Sequence, residues 1–402
     1  MENAVQPAVE RIARRPEREC PPIRAGILCD LVEEEWPSMD LVADMLLRSF
    51  SRKAAPGVTA FRLVPPMRRR FTAINGLRSA GLARNADRLL NRMVDYPNWL
   101  QHCRTKFDIF HIVDHSYSHL ALSLPPGKVV VTCHDLDTFR CLLSPEIEKR
   151  PVWFRAMSRR ILKGLQQAAH IICVSESTRD ALIEHKIVPA SRTTVIYNGT
   201  HPDFRPDPDP DADAKAGKLL GDKRPFLLSV GSTIPRKRID VLLRLFATMR
   251  ETYPELRLVR VGGPFTPDQV ELAERLSIAH AIRVMPFITT SVLASLYRSA
   301  VALVQPSERE GFGLPVIEAL ACGCKVIASD LPVFREIGGN AITFCPLNEN
   351  AAWIQAMRAV MQERLIPAEL RCLTTLSLVH HARRFSWDSA AARTAEVYRQ
   401  LL

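Results

Sequence analysis

The sequence predicts an α/β protein in which two domains with doubly wound parallel sheets face each other across a central cleft. Its length, 402 residues, exceeds what a single hydrophobic core ordinarily holds. Short apolar runs alternate with longer amphipathic segments in both halves, a pattern typical of parallel strands joined by helices. A stretch rich in proline and aspartate, 201–225, separates the two alternating series.

The first series predicts an N-terminal domain over 23–200. Runs of β-branched and apolar residues mark its strands, and helical periodicity marks the segments between them. The clearest strands are Ile23–Cys29, Ile109–Val113, Val129–Cys133, Ile171–Val174 and Thr194–Tyr197, and the clearest helices are Trp153–Ala169 and Glu176–His185. The preceding residues, 1–22, alternate acids with arginines and are expected to form a flexible basic tail.

The composition changes after residue 200. Prolines and aspartates, including the acidic run Asp207–Asp213, lead us to expect an exposed interdomain linker over 201–225. A C-terminal domain is predicted over 226–385, and the amphipathic segment 386–402 predicts a terminal helix. The clearest strands of this domain are Phe226–Val230, Leu256–Val261, Ile282–Met285, Val301–Gln305 and Val326–Ser329, and its clearest helices are Val241–Met249, Pro267–Ala279, Val292–Ser299 and Pro315–Ala321.

Composition limits the kind of protein. Apolar residues make up 47% of the chain and charged residues 24%, which are ordinary values for a packed globular protein. No run approaches eighteen apolar residues, so a transmembrane helix is not predicted. The cysteines are scattered, and the Cys322–Cys324 pair has no second pair or histidine at metal-ligand spacing. We therefore expect reduced thiols in a cytoplasmic protein, with no metal site.

The net charge of +11 suits anionic partners. Arginines concentrate in the first half, and those from Arg78 onward lie on a predicted helix whose apolar side would carry Leu82, Leu89, Leu90 and Met93. Three uses of this surface stay open: a solvated helix face, peripheral contact with the inner face of a membrane or a lipid-linked acceptor, and nucleic acid. Nucleic acid is disfavoured because no aromatic interleaving accompanies the charge. The arginines concerned are Arg68, Arg69, Arg70, Arg78, Arg84, Arg88 and Arg92.

The stretch Ser307–Asp330 contains most of the candidate chemistry. An apolar strand leads into a glycine turn, and a helix then begins near Pro315, where the missing proline N–H costs nothing. Gly311 and Gly313 let the backbone approach a ligand closely. The turn's amides and the helix start offer donors to an anion. Two carboxylates, Glu310 and Glu318, flank this turn.

Two further groups follow predicted strands, at the edge of the sheet where doubly wound domains bind ligands. The turn Gly231–Arg238 contains three consecutive basic residues, of which Arg236 and Lys237 are candidate phosphate ligands and Arg238 is a candidate solvated cap. His134 follows the strand Val129–Cys133. The D-x-D in the string from His134 to Asp137 matches a metal motif of a single-domain architecture, which this sequence does not show, so we do not assign it a metal.

The string E-G-F-G-L-P-V-I-E-A-L-A-C-G-C-K-V-I-A-S-D, which begins at Glu310, resembles the characteristic motif of family 4 glycosyltransferases. The basic turn after Val230, His134, Tyr197-Asn198-Gly199 and a terminal F-S-W segment resemble the same family. The resemblance covers most of the chain. It implies a retaining enzyme with two Rossmann-like domains (the GT-B fold), whose terminal helix crosses back to the N-terminal domain.

The resemblance also implies roles for individual residues. Glu310 would contact the donor sugar, and Glu318 the ribose hydroxyls of the nucleotide. The basic turn would bind the diphosphate, and His134 would lie near the donor sugar and acceptor. The implied catalytic residues are His134, Glu310, Lys237 and Arg236, and the implied donor-binding residues are Gly231, Arg236, Lys237, Glu310, Gly311, Phe312, Gly313, Leu314 and Glu318.

The chain departs from the family pattern at two places. Many members have an arginine directly after the glycine of the basic turn, where this chain has Ser232. Many also have a glycine pair after the first strand, where this chain has Trp36, Pro37 and Ser38. The division of work between Arg236 and Lys237, and the role of the loop at Trp36, therefore stay open.

The implied activity is transfer of a hexose-type sugar from a UDP-, GDP- or ADP-linked donor to a glycan, lipid-linked or other hydroxyl acceptor. Cell-surface polysaccharide biosynthesis is the expected setting, and the enzyme would be mannosyltransferase-like and would need no cofactor or metal. The alternatives are a phosphorylase or hydrolase on the same fold, or a non-catalytic nucleotide-binding scaffold. Intact Glu310, Glu318, Lys237 and His134 argue against the scaffold.

Overall fold

The computed structural model describes residues 21–34, 37–52, 54–74, 81–363 and 368–402. Two parallel six-stranded sheets form the frame of the molecule, as predicted. Residues 1–20 of the predicted tail, together with Trp36, lie outside the described residues. Within the described part of the chain, no helix is both long and apolar enough to cross a membrane.

The N-terminal sheet has the strand order β2-β1-β3-β4-β5-β6. Every neighbouring pair is parallel, so all its strands end at the same edge. Its strands are β1 Ile23–Leu28, β2 Val58–Leu63, β3 Ile109–Ile112, β4 Val129–Cys133, β5 His170–Cys173 and β6 Thr193–Val195. Its helices are α1 Pro37–Ser51, α2 Gly81–Leu90, α3 Tyr96–Leu100, α4 Arg140–Leu143, α5 Val152–Gln167 and α6 Glu176–Glu184, and a π-helical stretch, Asn91–Asp95, joins α2 to α3.

The C-terminal sheet has the order β12-β11-β10-β7-β8-β9 and is also parallel throughout. Its strands are β7 Phe226–Val230, β8 Arg257–Val261, β9 Ile282–Met285, β10 Ala302–Gln305, β11 Val326–Ser329 and β12 Thr343–Cys345. The helices of the second half are α7 Pro210–Leu220, α8 Ile239–Thr252, α9 Pro267–Arg275, α10 Thr290–Ser299, α11 Leu314–Ala321, α12 Pro332–Gly338, α13 Asn350–Glu363, α14 Ala368–Ala382 and α15 Trp387–Leu401.

The stretch 201–225 is not an exposed linker throughout, and that expectation is wrong at α7. Asp209 caps this helix by accepting from the N–H of Ala212, and Pro210 occupies its first turn. Ala212 and Ala216 are buried in the same hydrophobic cluster as β7 and α10. Asp213, in the acidic run, pairs with Arg298 of α10 at 2.6 Å. Prolines and aspartates here begin a helix rather than prevent one.

The terminal helix α15 crosses back to the N-terminal domain, as the resemblance implied. Ala391, Ala395 and Tyr398 are buried in one hydrophobic cluster with β1 and α1. The Tyr398 hydroxyl also lies 2.7 Å from Nδ1 of His111 on β3. A helix at the end of the sequence therefore completes the core of the first domain.

The apolar side predicted for the arginine-rich helix α2 is only partly correct, because Leu90 is half-buried and Met93 packs against the N-terminal core. Leu82 and Leu89 are exposed, whereas Asp87 and Asn91 are buried. Asp87 is buried because its carboxylate accepts hydrogen bonds from the N–H groups of residues 70, 71 and 72. These bonds anchor that segment against the helix. Arg92 is not on a solvated face, because its guanidinium stacks 4.1 Å from the Tyr117 ring centre. Arg78 lies outside the described residues.

Candidate active site

The turn between β10 and α11 lies against the N-terminal domain. Gly313 adopts a left-handed φ of 101° as the residue that precedes α11, a conformation that favours glycine. A Cβ on Gly311 would lie 1.7 Å from the carbonyl oxygen of His134, so only glycine fits there. The Ser175 hydroxyl donates to the Gly311 carbonyl at 2.7 Å. Both domains thus meet at this turn.

Glu310 is the centre of a charged cluster. Its carboxylate accepts from Lys237 Nζ at 2.5 Å, from Arg236 Nη1 at 2.8 Å and from the Ser307 hydroxyl at 2.7 Å. Burial alone would raise the pKa of Glu310, but Lys237 and Arg236 outweigh it and lower that pKa to about 2. Glu310 is therefore an ionised hydrogen-bond acceptor at neutral pH.

Glu318, one turn into α11, has a different environment. It is buried, and the Tyr297 hydroxyl donates to its carboxylate at 3.0 Å. Burial raises the pKa of Glu318 to about 7, against the smaller opposing effect of the Tyr297 hydrogen bond. The carboxyl can take part in a hydrogen bond in either protonation state, as the role that the resemblance implies for Glu318 would require.

The basic turn after β7 positions two cations toward Glu310. Gly231 has φ 128°, and an ideal Cβ on it would lie 3.6 Å from Lys237 Nζ. Arg236 also reaches across the cleft, where its Nε lies 2.8 Å from Asp137 Oδ2 of the N-terminal domain. Arg238 instead pairs with Asp240 at the start of α8, consistent with a cap rather than a ligand.

His134 follows β4, with its backbone against the Gly311 turn. Its Nε2 lies 2.7 Å from the carbonyl oxygen of Val113, and since a carbonyl only accepts, Nε2 carries a proton. Burial is the largest effect on His134 and its pKa is lowered despite the nearby Asp114 carboxylate. The neutral ring therefore leaves Nδ1 as its acceptor atom.

A cavity of about 270 Å³ separates the facing walls of the two domains. Its N-terminal wall includes Asp135, Asp137 and Arg140, and its opposite wall includes Arg236 and Glu310. The structure thus brings Arg236, Lys237, Glu310 and Gly311 together beside the His134 backbone. Phe312 is buried against Tyr197 instead, and Leu314 begins α11.

Sequence reasoning missed several polar residues here. The D-x-D aspartates, Asp135 and Asp137, lie 3.8 and 2.8 Å from Arg236 nitrogens, so they act as ion-pair partners across the cleft. In the described part of the chain, no cluster of three or more His, Cys, Asp or Glu is arranged to hold a metal ion. No sequence pattern predicts Tyr297 as the hydrogen-bond partner of Glu318, because Tyr297 lies on a different helix, α10.

Two family models match the two halves of this chain. The family described as "Glycosyl transferases group 1" matches residues 211–372, and "Glycosyltransferase Family 4" matches residues 48–204. Among solved structures, Anabaena Alr3699/HepE in complex with UDP and glucose superposes with a TM-score of 0.69 at 15% identity, covering 94% of this chain and 100% of that one. WaaG, a glycosyltransferase involved in lipopolysaccharide biosynthesis, superposes with a TM-score of 0.65 at 16% identity, covering 93% and 99%. These likenesses show a shared GT-B fold.

Curated relatives share more of the sequence. O-antigen chain mannosyltransferase B of Escherichia coli is 28% identical over 68% of this chain and 71% of its own length. D-inositol 3-phosphate glycosyltransferase of Streptomyces bingchenggensis is 34% identical over 58% of this chain, but the match spans only 53% of that relative. The enzyme of the same name from Thermobispora bispora is 35% identical over 74% of this chain and 71% of its own length. By this likeness the chain belongs to the group 1, family 4 glycosyltransferases.

Proposed function

We propose that this protein transfers a hexosyl group from a nucleoside-diphosphate sugar to a hydroxyl acceptor with retention of configuration. The observation that supports it is the cluster in which Glu310 is bonded to both Lys237 and Arg236, next to the amino end of α11. One site thus offers a carboxylate for sugar hydroxyls and cations for a diphosphate.

The reaction needs charge stabilisation at the leaving group. Negative charge builds on the departing diphosphate, and positive charge on the sugar ring, as the glycosidic bond breaks. Lys237 and the amides before α11 are held in place, and Arg236 lies beside them once it exchanges Asp137 for the diphosphate, so these groups stabilise the leaving group with little reorganisation. Removal of one such group commonly costs about 3 kcal/mol, or roughly a hundredfold in rate.

The donor and setting are proposals that rest on the named relatives. A mannosyl donor is our first candidate, because one relative is an O-antigen chain mannosyltransferase. UDP-linked sugars are a further candidate, because a structural neighbour was solved in complex with UDP. A glycan or lipid-linked precursor of a cell-surface polysaccharide is the proposed acceptor. The specificity for the nucleotide base is to be measured in the binding experiment described next.

The first experiment is a panel of UDP, GDP and ADP and their sugars, with thermal stabilisation of the protein as the readout. Transfer is then assayed with the donor that stabilises most. We expect nucleoside diphosphate to be released only when an acceptor is present. Release with water or phosphate alone would favour the hydrolase or phosphorylase alternative, and binding without any release would favour the scaffold.

Site variants test the assignment. Glu310→Ala and Lys237→Ala are expected to abolish transfer while the circular dichroism spectrum stays unchanged. Arg238→Ala is the matched control, because Arg238 lies in the same turn but pairs with Asp240. Near-wild-type turnover in the Glu310 or Lys237 variant would show that the site is misplaced.

We also propose that transfer needs no metal. Two cations and a helix end already face the diphosphate position, so a divalent ion has no necessary role in stabilising the leaving group. Activity should persist in excess chelator. Strict dependence on added Mg²⁺ or Mn²⁺ would contradict this part of the proposal.

A peripheral membrane contact is a second proposal, and the structure supports a different surface from α2. Three apolar side chains around the start of α5 are largely exposed: Ile147 by 71%, Val152 by 79% and Trp153 by 61%. Lys149 and Arg150 lie between them in the chain and are exposed, although Arg150 pairs with Glu148 at 2.8 Å. Exposed aromatic and aliphatic groups beside basic ones suit an anionic lipid surface.

Vesicle sedimentation tests this contact. We expect the protein to sediment with vesicles containing phosphatidylglycerol and less with pure phosphatidylcholine vesicles, and Trp153→Ser to weaken the difference. The control is Leu82→Ser on α2, an apolar side chain that is exposed by 85%. Equal binding by both variants and the wild type would contradict a role for the α5 surface.

A further inference from the structure

Arg260 is a buried cation that has no anionic partner among the described residues. It lies on β8 and is 1% exposed, and no carboxylate in the described residues forms an ion pair with it. Burial lowers the pKa of Arg260 to about 10, so the guanidinium remains charged at neutral pH. Burying a charge without a counterion opposes folding, so the hydrogen bonds of the guanidinium must offset that cost.

The guanidinium is directed at the backbone of the basic turn. It donates to the carbonyl oxygens of Ser232 at 2.8 Å and Ser229 at 3.3 Å. It also donates to the carbonyls of Gly231 and Val261. Two consecutive carbonyls of the turn, those of Gly231 and Ser232, therefore point toward the interior.

Peptide geometry then fixes the opposite side of the turn. In a trans peptide the C=O and the following N–H point in opposite directions, so the N–H groups of Ser232 and Thr233 point away from Arg260. Neither N–H donates a hydrogen bond in the described part of the chain, and Ser232 is exposed. Consecutive free N–H groups on a turn form an anion-binding concavity.

A neighbouring glycine keeps the turn in place. An ideal Cβ on Gly262 would lie 2.2 Å from the Gly231 carbonyl oxygen, so the end of β8 holds this carbonyl closely. Arg260 and Gly262 therefore confine the same peptide group from one strand. The same turn continues to Arg236 and Lys237, which lie three and four residues after Thr233.

We propose that Arg260 is a positioning residue for the donor diphosphate. It holds the N–H groups of Ser232 and Thr233 toward the phosphates and supplies, from β8, a positive charge behind the turn. Many family members have an arginine where this chain has Ser232, and Arg260 would replace that charge from the neighbouring strand. This inference rests on the proposed function.

Calorimetric titration with inorganic pyrophosphate, UDP, GDP and ADP, and with the parent nucleosides, tests the proposal. Arg260→Met should weaken pyrophosphate and diphosphate binding about ten- to a hundredfold, with little change for the nucleoside. Arg257→Met is the control: Arg257 is also buried on β8, but it pairs with Asp222, away from the turn. Its diphosphate affinity should stay at the wild-type level.

Two further variants separate positioning from folding. Arg260→Lys keeps the charge but reaches fewer carbonyls, so it should lose diphosphate affinity severalfold. Adding Ser232→Arg to Arg260→Met should recover most of the affinity, because it restores the cation at the family's usual place. A merely structural role would lower nucleoside and diphosphate binding alike, and Ser232→Arg would not rescue it.

The outcomes distinguish the two proposals. Wild-type diphosphate affinity in both Arg260 variants contradicts the role of Arg260 and leaves the proposed function standing. Failure of the wild-type protein to bind pyrophosphate and every nucleoside diphosphate contradicts the proposed function, and the role of Arg260 with it.

Discussion

Two glutamates eight positions apart in the chain have opposite acid–base behaviour. Glu310 faces Lys237 and Arg236, and its pKa is lowered to about 2. Glu318 has only the Tyr297 hydroxyl, and burial raises its pKa to about 7. The pKa values of these two chemically identical side chains differ because Glu310 has cations beside it and Glu318 does not. At neutral pH, Glu310 is ionised and Glu318 titrates.

Glu318 should make the folded protein less stable as pH rises. Its folded pKa of about 7 exceeds the ordinary 4.5, so the native state binds more protons and stability falls between these pH values. The difference corresponds to roughly 3 kcal/mol. The melting temperature of the wild type minus that of Glu318→Gln should therefore be larger at pH 5 than at pH 7.5. A pH-independent difference would contradict the raised pKa.

At the scale of elements, the β10–α11 turn depends on a glycine that faces another domain. The predicted reason for Gly311 was close approach to a ligand, whereas the structure shows close approach to the His134 carbonyl. The turn therefore has two faces, one toward the proposed diphosphate site and one toward the N-terminal domain. A side chain at this position would separate the elements that form the cleft.

Gly311→Ala should reduce transfer by about a hundredfold, because displacement of reacting groups by about 1 Å costs that much. A Cβ at Gly311 would lie 1.7 Å from the His134 carbonyl oxygen, which the backbone can relieve only by moving. The measurement is kcat with saturating donor. Wild-type turnover would show that transfer does not need the contact between this turn and His134.

Gly217→Ala, the matched control, also tests whether α7 is a helix. A Cβ there meets nothing within 4 Å, and no left-handed φ is required. Alanine favours a helix interior over glycine by about 1 kcal/mol, so the variant should unfold at a slightly higher temperature with unchanged transfer. Destabilisation would favour the exposed linker that the composition suggested.

At the scale of the whole molecule, ion pairs and backbone hydrogen bonds hold the two domains together across the cleft. Arg236 pairs with Asp137, and Glu336 of α12 accepts from the N–H groups of Glu176 and Ser177 at the start of α6. The first contact uses a proposed phosphate ligand. A donor diphosphate would therefore compete with Asp137 for Arg236.

Asp137→Asn should bind nucleoside diphosphate about fivefold more tightly, because a partly exposed ion pair is worth about 1 kcal/mol. Without ligand, small-angle scattering should show a larger radius of gyration as the domains separate. Asp240→Asn is the control, since Asp240 pairs with Arg238 inside one domain. Weaker nucleotide binding by Asp137→Asn would mean that Asp137 holds Arg236 in place for the donor.

Local patterns predicted much of the parallel frame. The predicted strands from β3 to β11 match those observed to within one or two residues, because apolar runs report burial directly. The edge strands β2 and β12 were missed: only two of the six residues of β2 are buried, and β12 has only three residues. Helix α7 was missed because aspartate and proline signal a turn or a helix start equally well.

The sequence by itself determined the fold class, the family and the residues of the Glu310 turn and the basic turn, since these are contiguous strings whose chemistry is local. Only the tertiary structure decided which groups meet. Tyr297 reaches Glu318 from α10, Asp137 reaches Arg236 from the opposite domain, and Arg260 reaches the basic turn from β8. Each pairing joins segments that are distant in the chain, and periodicity carries no information about contacts between such segments.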